Sequence, residues 1–127
     1  MLDDTYNASP QSMLAALNLL DELDGRKVAV LGDMLELGRY EWQGHEMVGR
    51  RAADIVDELI TLGERGRMIA AAACRVGFSP KKITELDTIE HAIEFLQDRL
   101  CENDVVLIKG SRSMQMDRIV AALEAPR

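Results

Sequence analysis

The stretch that decides the fold is Val105-Val106-Leu107-Ile108, followed directly by Lys109-Gly110-Ser111-Arg112-Ser113. Four consecutive aliphatic residues, three of them β-branched, predict a β-strand, and the lack of polar alternation indicates burial on both faces. The glycine, serines and cations that follow predict a loop. Such a strand is typical of a parallel sheet, where the carboxyl end of a strand often lies beside a ligand.

Outward from this strand, short aliphatic runs alternate with amphipathic helical stretches. The sequence predicts a helix over 9–23, a strand over 27–31, a helix over 40–53, a strand over 58–62, a helix over 68–76, a short strand over 82–85, a helix capped by Thr88, the strand over 105–108 and a last helix that ends near 123. Apolar strands joined by helices favour an α/β fold, a Rossmann-like, doubly wound and mostly parallel sheet with helices on both faces.

Length and composition restrict the class of protein. The 127 residues correspond to one ordinary domain, and a hydrophobic fraction of 47% with only 4% aromatics predicts an aliphatic core. With 15 basic and 22 acidic residues the net charge is 15 − 22 = −7. An acidic domain is expected to have neither nucleic acid nor a membrane surface as its partner, because phosphate-rich surfaces repel it.

Targeting and metal signals are also missing from the sequence. No uncharged apolar run approaches the roughly 20 residues that a membrane span needs, and the first residues do not resemble a secretory signal. Cys74 and Cys101 form no CxxC motif, so we expect reduced, buried or half-buried thiols in a cytosolic protein. Together with His45 and His91 they match no metal-ligand spacing. Both histidines are predicted to be surface or packing residues, because neither has a neighbouring nucleophile and carboxylate.

Four polar loops are expected at one edge of the sheet, since the carboxyl ends of parallel strands meet there. These loops cover 3–10, 32–38, 63–66 and 109–113. The first is rich in hydrogen-bonding groups that could hold a ribose, or it is only the acidic approach to a helix capped by Ser9.

The second and fourth loops carry the charged candidates. Asp33 could accept a hydrogen bond from a substrate ammonium or amide, or it caps a turn. Lys109 and Arg112 could hold a carboxylate or phosphate, with Arg112 offering a bidentate guanidinium, or they are solvated cations at a helix start.

Taken together, these loops resemble the C-terminal domain of the Mur ligases over nearly the whole chain, 1–127. Within that family the similarity is greatest to the member that joins D-Ala-D-Ala to UDP-N-acetylmuramoyl-tripeptide (UDP-MurNAc-tripeptide). The motifs follow the family's order: Asp3-Asp4-Thr5-Tyr6-Asn7-Ala8-Ser9-Pro10, Leu31-Gly32-Asp33-Met34-Leu35-Glu36-Leu37-Gly38, His45 with Val48-Gly49, and Val106-Leu107-Ile108-Lys109-Gly110-Ser111-Arg112-Ser113-Met114. Ser9 stands where the family usually has Asn, and it is an equivalent helix cap.

The resemblance implies one domain of a three-domain, ATP-dependent ligase of the bacterial cytoplasm that acts in peptidoglycan synthesis. The N-terminal domain of such an enzyme binds UDP-MurNAc-tripeptide, and the central domain carries the P-loop and the Mg²⁺ ligands. The domain represented by this chain helps to bind ATP and D-Ala-D-Ala and closes the site. We therefore expect the 127 residues alone to lack ligase activity and to hold neither ATP nor Mg²⁺.

The resemblance also implies residue roles. Asp4 and Asn7 would face the ribose or base of ATP, and Asp33, Ser111 and Arg112 would line the D-Ala-D-Ala pocket. Lys109 would stabilise phosphate charge, and no residue of this domain is expected to be catalytic or to bind metal.

Two alternatives stay open at this point. The chain could belong to a related ligase that adds meso-diaminopimelate or D-glutamate. It could also be a Rossmann-like binding or interaction module without chemistry.

Overall fold

The computed structural model describes residues 2–3 and 8–125. Its strands are β1 (Leu2–Asp3), β2 (Arg26–Gly32), β3 (Glu58–Leu62), β4 (Ile83–Leu86) and β5 (Asp104–Lys109). Its α-helices are α1 (Pro10–Asp21), α2 (Glu41–Ile55), α3 (Gly66–Arg75), α4 (Ile89–Arg99) and α5 (Asp117–Glu124). The strands form one sheet in the order β1-β5-β2-β3-β4, and every neighbouring pair is parallel. The predicted α/β fold is confirmed.

Side chains alternate across the sheet and create two aliphatic cores. Ala29 and Leu31 of β2 face the core that α1, α2 and α3 cover, whereas Val28 and Val30 face the core beneath α4 and α5. Both faces of the central strands are therefore buried, which explains why these strands are continuous aliphatic runs.

The helix starts follow the sequence closely. Ser9 caps α1 in a reciprocal capping box with Ser12, and Pro10 occupies the first turn, where its missing N–H costs nothing. Thr88 caps α4 by accepting a hydrogen bond from the backbone N–H of His91. No helix in the part of the chain that the structure describes is long and apolar enough to cross a membrane.

The structure departs from the sequence predictions at three places. β1, which pairs with Leu107 and Ile108, is a strand that the sequence does not predict, because two residues are too short to show a period. The chain after Gly110 first forms a 3-10 turn at Arg112–Met114, and α5 begins only at Asp117. Cys74 and Cys101 are exposed, so the prediction of buried or half-buried thiols is wrong. Cys74 lies on the outer face of α3, and Cys101 lies in the turn before β5.

Candidate functional site

In this topology the chain takes opposite directions after two neighbouring strands, β2 and β5. The chain leaves β2 toward α2 on one face of the sheet, and it leaves β5 toward α5 on the other face. Two adjacent parallel strands whose loops diverge in this way open a crevice at their carboxyl ends. An open groove of about 620 Å³ lies there, lined by Ala8, Leu35, Glu36, Ser111, Arg112, Ser113 and Gln115.

The two loops that form the groove are joined at their base. The backbone N–H of Ser111 donates to the carbonyl oxygen of Asp33 at 2.7 Å, and the N–H of Asp33 lies 2.9 Å from the sulfur of Met114. The sulfur of Met116 packs closely against Gly32, since a Cβ there would lie 2.6 Å from it and the methionine side chain would have to shift. These contacts hold the loop after β2 against the loop after β5 at the base of the groove.

Of the three residues predicted to bind D-Ala-D-Ala, the structure brings two into the groove. Ser111 is half-buried and Arg112 is exposed, and both line it. Asp33 is only 8% exposed, and its carboxylate is directed away from the groove. One carboxylate oxygen accepts a hydrogen bond of 2.9 Å from the backbone N–H of Gly66, at the start of α3, and the other lies 3.7 Å from Arg65. Asp33 thus caps the start of α3, whereas the alternative considered from the sequence was a cap of the turn that directly follows β2.

Arg65 and His45 support the same loop and were not identified as site residues from the sequence. Arg65 forms an ion pair with Glu41 of α2, and this hydrogen bond is the main reason why the pKa of the guanidinium is raised. His45 is fully buried and contacts the backbone of Glu41 and of Met34. The one-turn spacing of Glu41 and His45 is visible in the sequence, but it does not reveal that the His45 ring also contacts the loop after β2 through Met34.

The residues predicted to contact ATP or its phosphates are Lys109, Asp4 and Asn7. Lys109 is the last residue of β5, lies opposite Leu31 of β2 and is 1% exposed. Asp4 and Asn7, predicted to face ATP, lie outside the described residues. Among residues 2–3 and 8–125, no group of three or more His, Cys, Asp or Glu side chains could hold a metal ion.

Comparison with known proteins gives one consistent family. Residues 1–112 match the family described as Mur ligase, glutamate ligase domain. The UDP-N-acetylmuramoyl-tripeptide–D-alanyl-D-alanine ligase of Bacillus subtilis is 35% identical over 99% of this chain and 28% of its own length. The Escherichia coli ligase of the same name is 38% identical over 98% of this chain and 26% of its own length. The chain thus spans little more than a quarter of these relatives.

Solved structures agree with the sequence relatives. A MurF ligase from Thermotoga maritima in complex with ADP matches with a TM-score of 0.79 and 30% identity, over 97% of this chain and 27% of the other. MurF from Acinetobacter baumannii matches with a TM-score of 0.77 and 37% identity, over 95% of this chain and 27% of the other.

Proposed function

The chain belongs to the Mur ligase family, and from this premise we propose that residues 1–127 are the C-terminal domain of a ligase that adds D-Ala-D-Ala to UDP-MurNAc-tripeptide. The observation that carries the proposal is the groove between the β2 and β5 loops, where Ser111 and Arg112 meet at the carboxyl edge of the sheet. The names of the similar ligases supply the identity of the amino component.

Arg112 and Ser111 suit the carboxylate end of a dipeptide. A guanidinium can form two parallel hydrogen bonds with a carboxylate, and a serine hydroxyl can donate a third. Asp33 acts indirectly, through Ser111. Its backbone carbonyl accepts a hydrogen bond from Ser111, and its carboxylate accepts one from the backbone N–H of Gly66 at the start of α3. Asp33 is then a positioning residue of the D-Ala-D-Ala pocket.

In the complete enzyme, the γ-phosphoryl group of ATP passes to the carboxylate of UDP-MurNAc-tripeptide and gives an acyl phosphate and ADP. The D-Ala-D-Ala amine then attacks the acyl carbon, loses its proton and displaces phosphate as the new peptide bond forms. The N-terminal and central domains supply the UDP-substrate site, the P-loop and the Mg²⁺ ligands, and Mg²⁺ neutralises charge on the transferred phosphoryl group. The reaction takes place in the bacterial cytoplasm.

This domain contributes the nucleoside side of the ATP site and moves to close the active site over both substrates. Asp4 and Asn7 bind the ribose or base, where a carboxylate can accept hydrogen bonds from vicinal hydroxyls. Lys109 is buried at the carboxyl end of β5, so its side chain has to become accessible on closure in order to stabilise phosphate charge. The separate 127-residue chain lacks most of the ATP site and therefore has neither ligase activity nor bound ATP or Mg²⁺.

Amino-component selectivity tests the proposal. We expect the full-length enzyme to release phosphate from ATP and UDP-MurNAc-tripeptide when D-Ala-D-Ala is added, and not with meso-diaminopimelate or D-glutamate. The 127-residue chain in the same assay should release none. Phosphate release that depends on one of the other amino acids would assign the chain to a related ligase, and no ligation by the full-length protein with any of the three would favour a non-catalytic module.

A further inference from the structure

Two residues in the groove have an unusual backbone conformation. Glu36 has φ 64° and Gln115 has φ 56°, and within residues 2–3 and 8–125 they are the non-glycine residues with positive φ. This left-handed region is disfavoured for residues with a Cβ, and such residues concentrate at functional sites when the surrounding structure holds them. Glu36 lies on the β2 side of the groove and Gln115 on the β5 side.

The backbone around Glu36 is fixed by hydrogen bonds on both sides. Before it, Asp33 accepts from the backbone of Ser111, and the N–H of Met34 donates to the buried His45 ring at 3.0 Å. After it, the carbonyl of Leu37 accepts from the N–H of Tyr40 at 3.1 Å. The carboxylate of Glu36 therefore projects from an anchored loop, although the side chain itself is exposed.

The charges along the groove match a zwitterion. Among residues 8–125, its lining contains one carboxylate, Glu36, and one guanidinium, Arg112, accompanied by serine hydroxyls and the amide of Gln115. Within the described part of the chain, the Glu36 carboxylate makes no hydrogen bond or ion pair. The next glutamate in the sequence, Glu41, forms an ion pair with Arg65. A carboxylate with an open acceptor surface is suited to an ammonium group.

We propose that Glu36 binds the ammonium group of the incoming dipeptide while Arg112 binds its carboxylate. This inference rests on the proposed function, because it assigns the second end of the D-Ala-D-Ala pocket. Glu36 then orients the nitrogen, which attacks the acyl phosphate after the ammonium has lost a proton to solvent, and it selects for a free amine. Glu36 lines the groove from a backbone position of left-handed conformation.

The test uses Glu36→Gln in the full-length enzyme, because glutamine keeps the size of the side chain and removes the charge. We expect the KM for D-Ala-D-Ala to rise about tenfold, since a charge-assisted hydrogen bond is lost, while the KM for ATP is unchanged. N-acetyl-D-Ala-D-Ala, which has no ammonium, should inhibit the wild-type enzyme and Glu36→Gln equally well. The matched control is Glu102→Gln, an exposed glutamate in the turn before β5 at the opposite edge of the sheet, which should leave both KM values unchanged.

Glu36→Gly separates charge from backbone strain, because glycine adopts positive φ freely but has no carboxylate. It should raise the KM for D-Ala-D-Ala as much as Glu36→Gln does. An unchanged KM in Glu36→Gln, or equal weakening of D-Ala-D-Ala and its N-acetyl analogue, would overturn the role of Glu36. A wild-type enzyme that does not use D-Ala-D-Ala at all would instead overturn the proposed function.

Discussion

The imidazole of His45 connects α2 to the loop that follows β2, and both of its nitrogens are used. Nδ1 lies 2.7 Å from the carbonyl oxygen of Glu41, which can only accept, so Nδ1 carries the hydrogen. Nε2 then accepts from the backbone N–H of Met34 at 3.0 Å. One neutral tautomer satisfies both contacts, and it fixes the segment that carries Glu36.

Replacing His45 should therefore destabilise the fold. We expect His45→Ala to lower the free energy of unfolding by about 2–4 kcal/mol, because it leaves the N–H of Met34 unpaired in the interior and opens a cavity. Urea denaturation of the 127-residue chain measures this directly. His91→Ala is the control, since the His91 side chain is exposed and its loss should change stability by no more than about 0.5 kcal/mol. Equal stability of the two variants would contradict the role given to His45.

At the scale of elements, one arginine joins three strands at the amino edge of the sheet. Arg26 of β2 makes two hydrogen bonds to Asp104 of β5, at 2.8 and 3.1 Å, and a third of 2.6 Å to Glu58 of β3. The guanidinium is the main reason why the pKa of Asp104 lies below its ordinary value of 3.8, with a further contribution from the backbone N–H of Cys101. The ionised carboxylate thus favours the folded state.

The lowered pKa of Asp104 makes the stability of the fold depend on pH. Because the pKa of Asp104 is lower in the folded state, its contribution is complete above the ordinary value and is lost as the pH falls through the folded-state value. At pH 7 we expect Asp104→Asn to be less stable than wild type by about 1–2 kcal/mol, and the difference should shrink below pH 3.8. Urea denaturation at both pH values measures it, with Asp24→Asn, an exposed turn residue, as control. A difference that grows on acidification would contradict this account.

Sequence predicted the elements better than it predicted the site. The strands and helices follow from aliphatic runs, helical period and caps such as Ser9 and Thr88, which are local signals. The direction of the Asp33 carboxylate was not predictable, because it depends on the strand order that brings Gly66 beside it. Left-handed backbone was equally unpredictable at Glu36 and Gln115, since glycine and asparagine are the residues that usually signal it.

At the scale of the whole molecule, the doubly wound sheet explains why the groove lies where it does. β2 and β5 are neighbouring strands, and the segments that follow them pass to opposite faces of the sheet. Their loops therefore separate, and the polar groups at the carboxyl ends of the two strands line an open groove. A protein with a net charge of −7 therefore still has an arginine, Arg112, in the groove at this edge. The chain corresponds to little more than a quarter of the length of the similar ligases.

The measurement that tests the central claim most directly is the pair of KM values for D-Ala-D-Ala and ATP in a full-length Arg112→Gln enzyme. We predict that the KM for D-Ala-D-Ala rises about tenfold or more, because a bidentate contact to the carboxylate is lost, and that the KM for ATP stays within about twofold. Arg50→Gln, which removes an exposed arginine on the outer side of α2, should change neither value. A raised KM for ATP with an unchanged KM for D-Ala-D-Ala would contradict the assignment of this groove to the dipeptide.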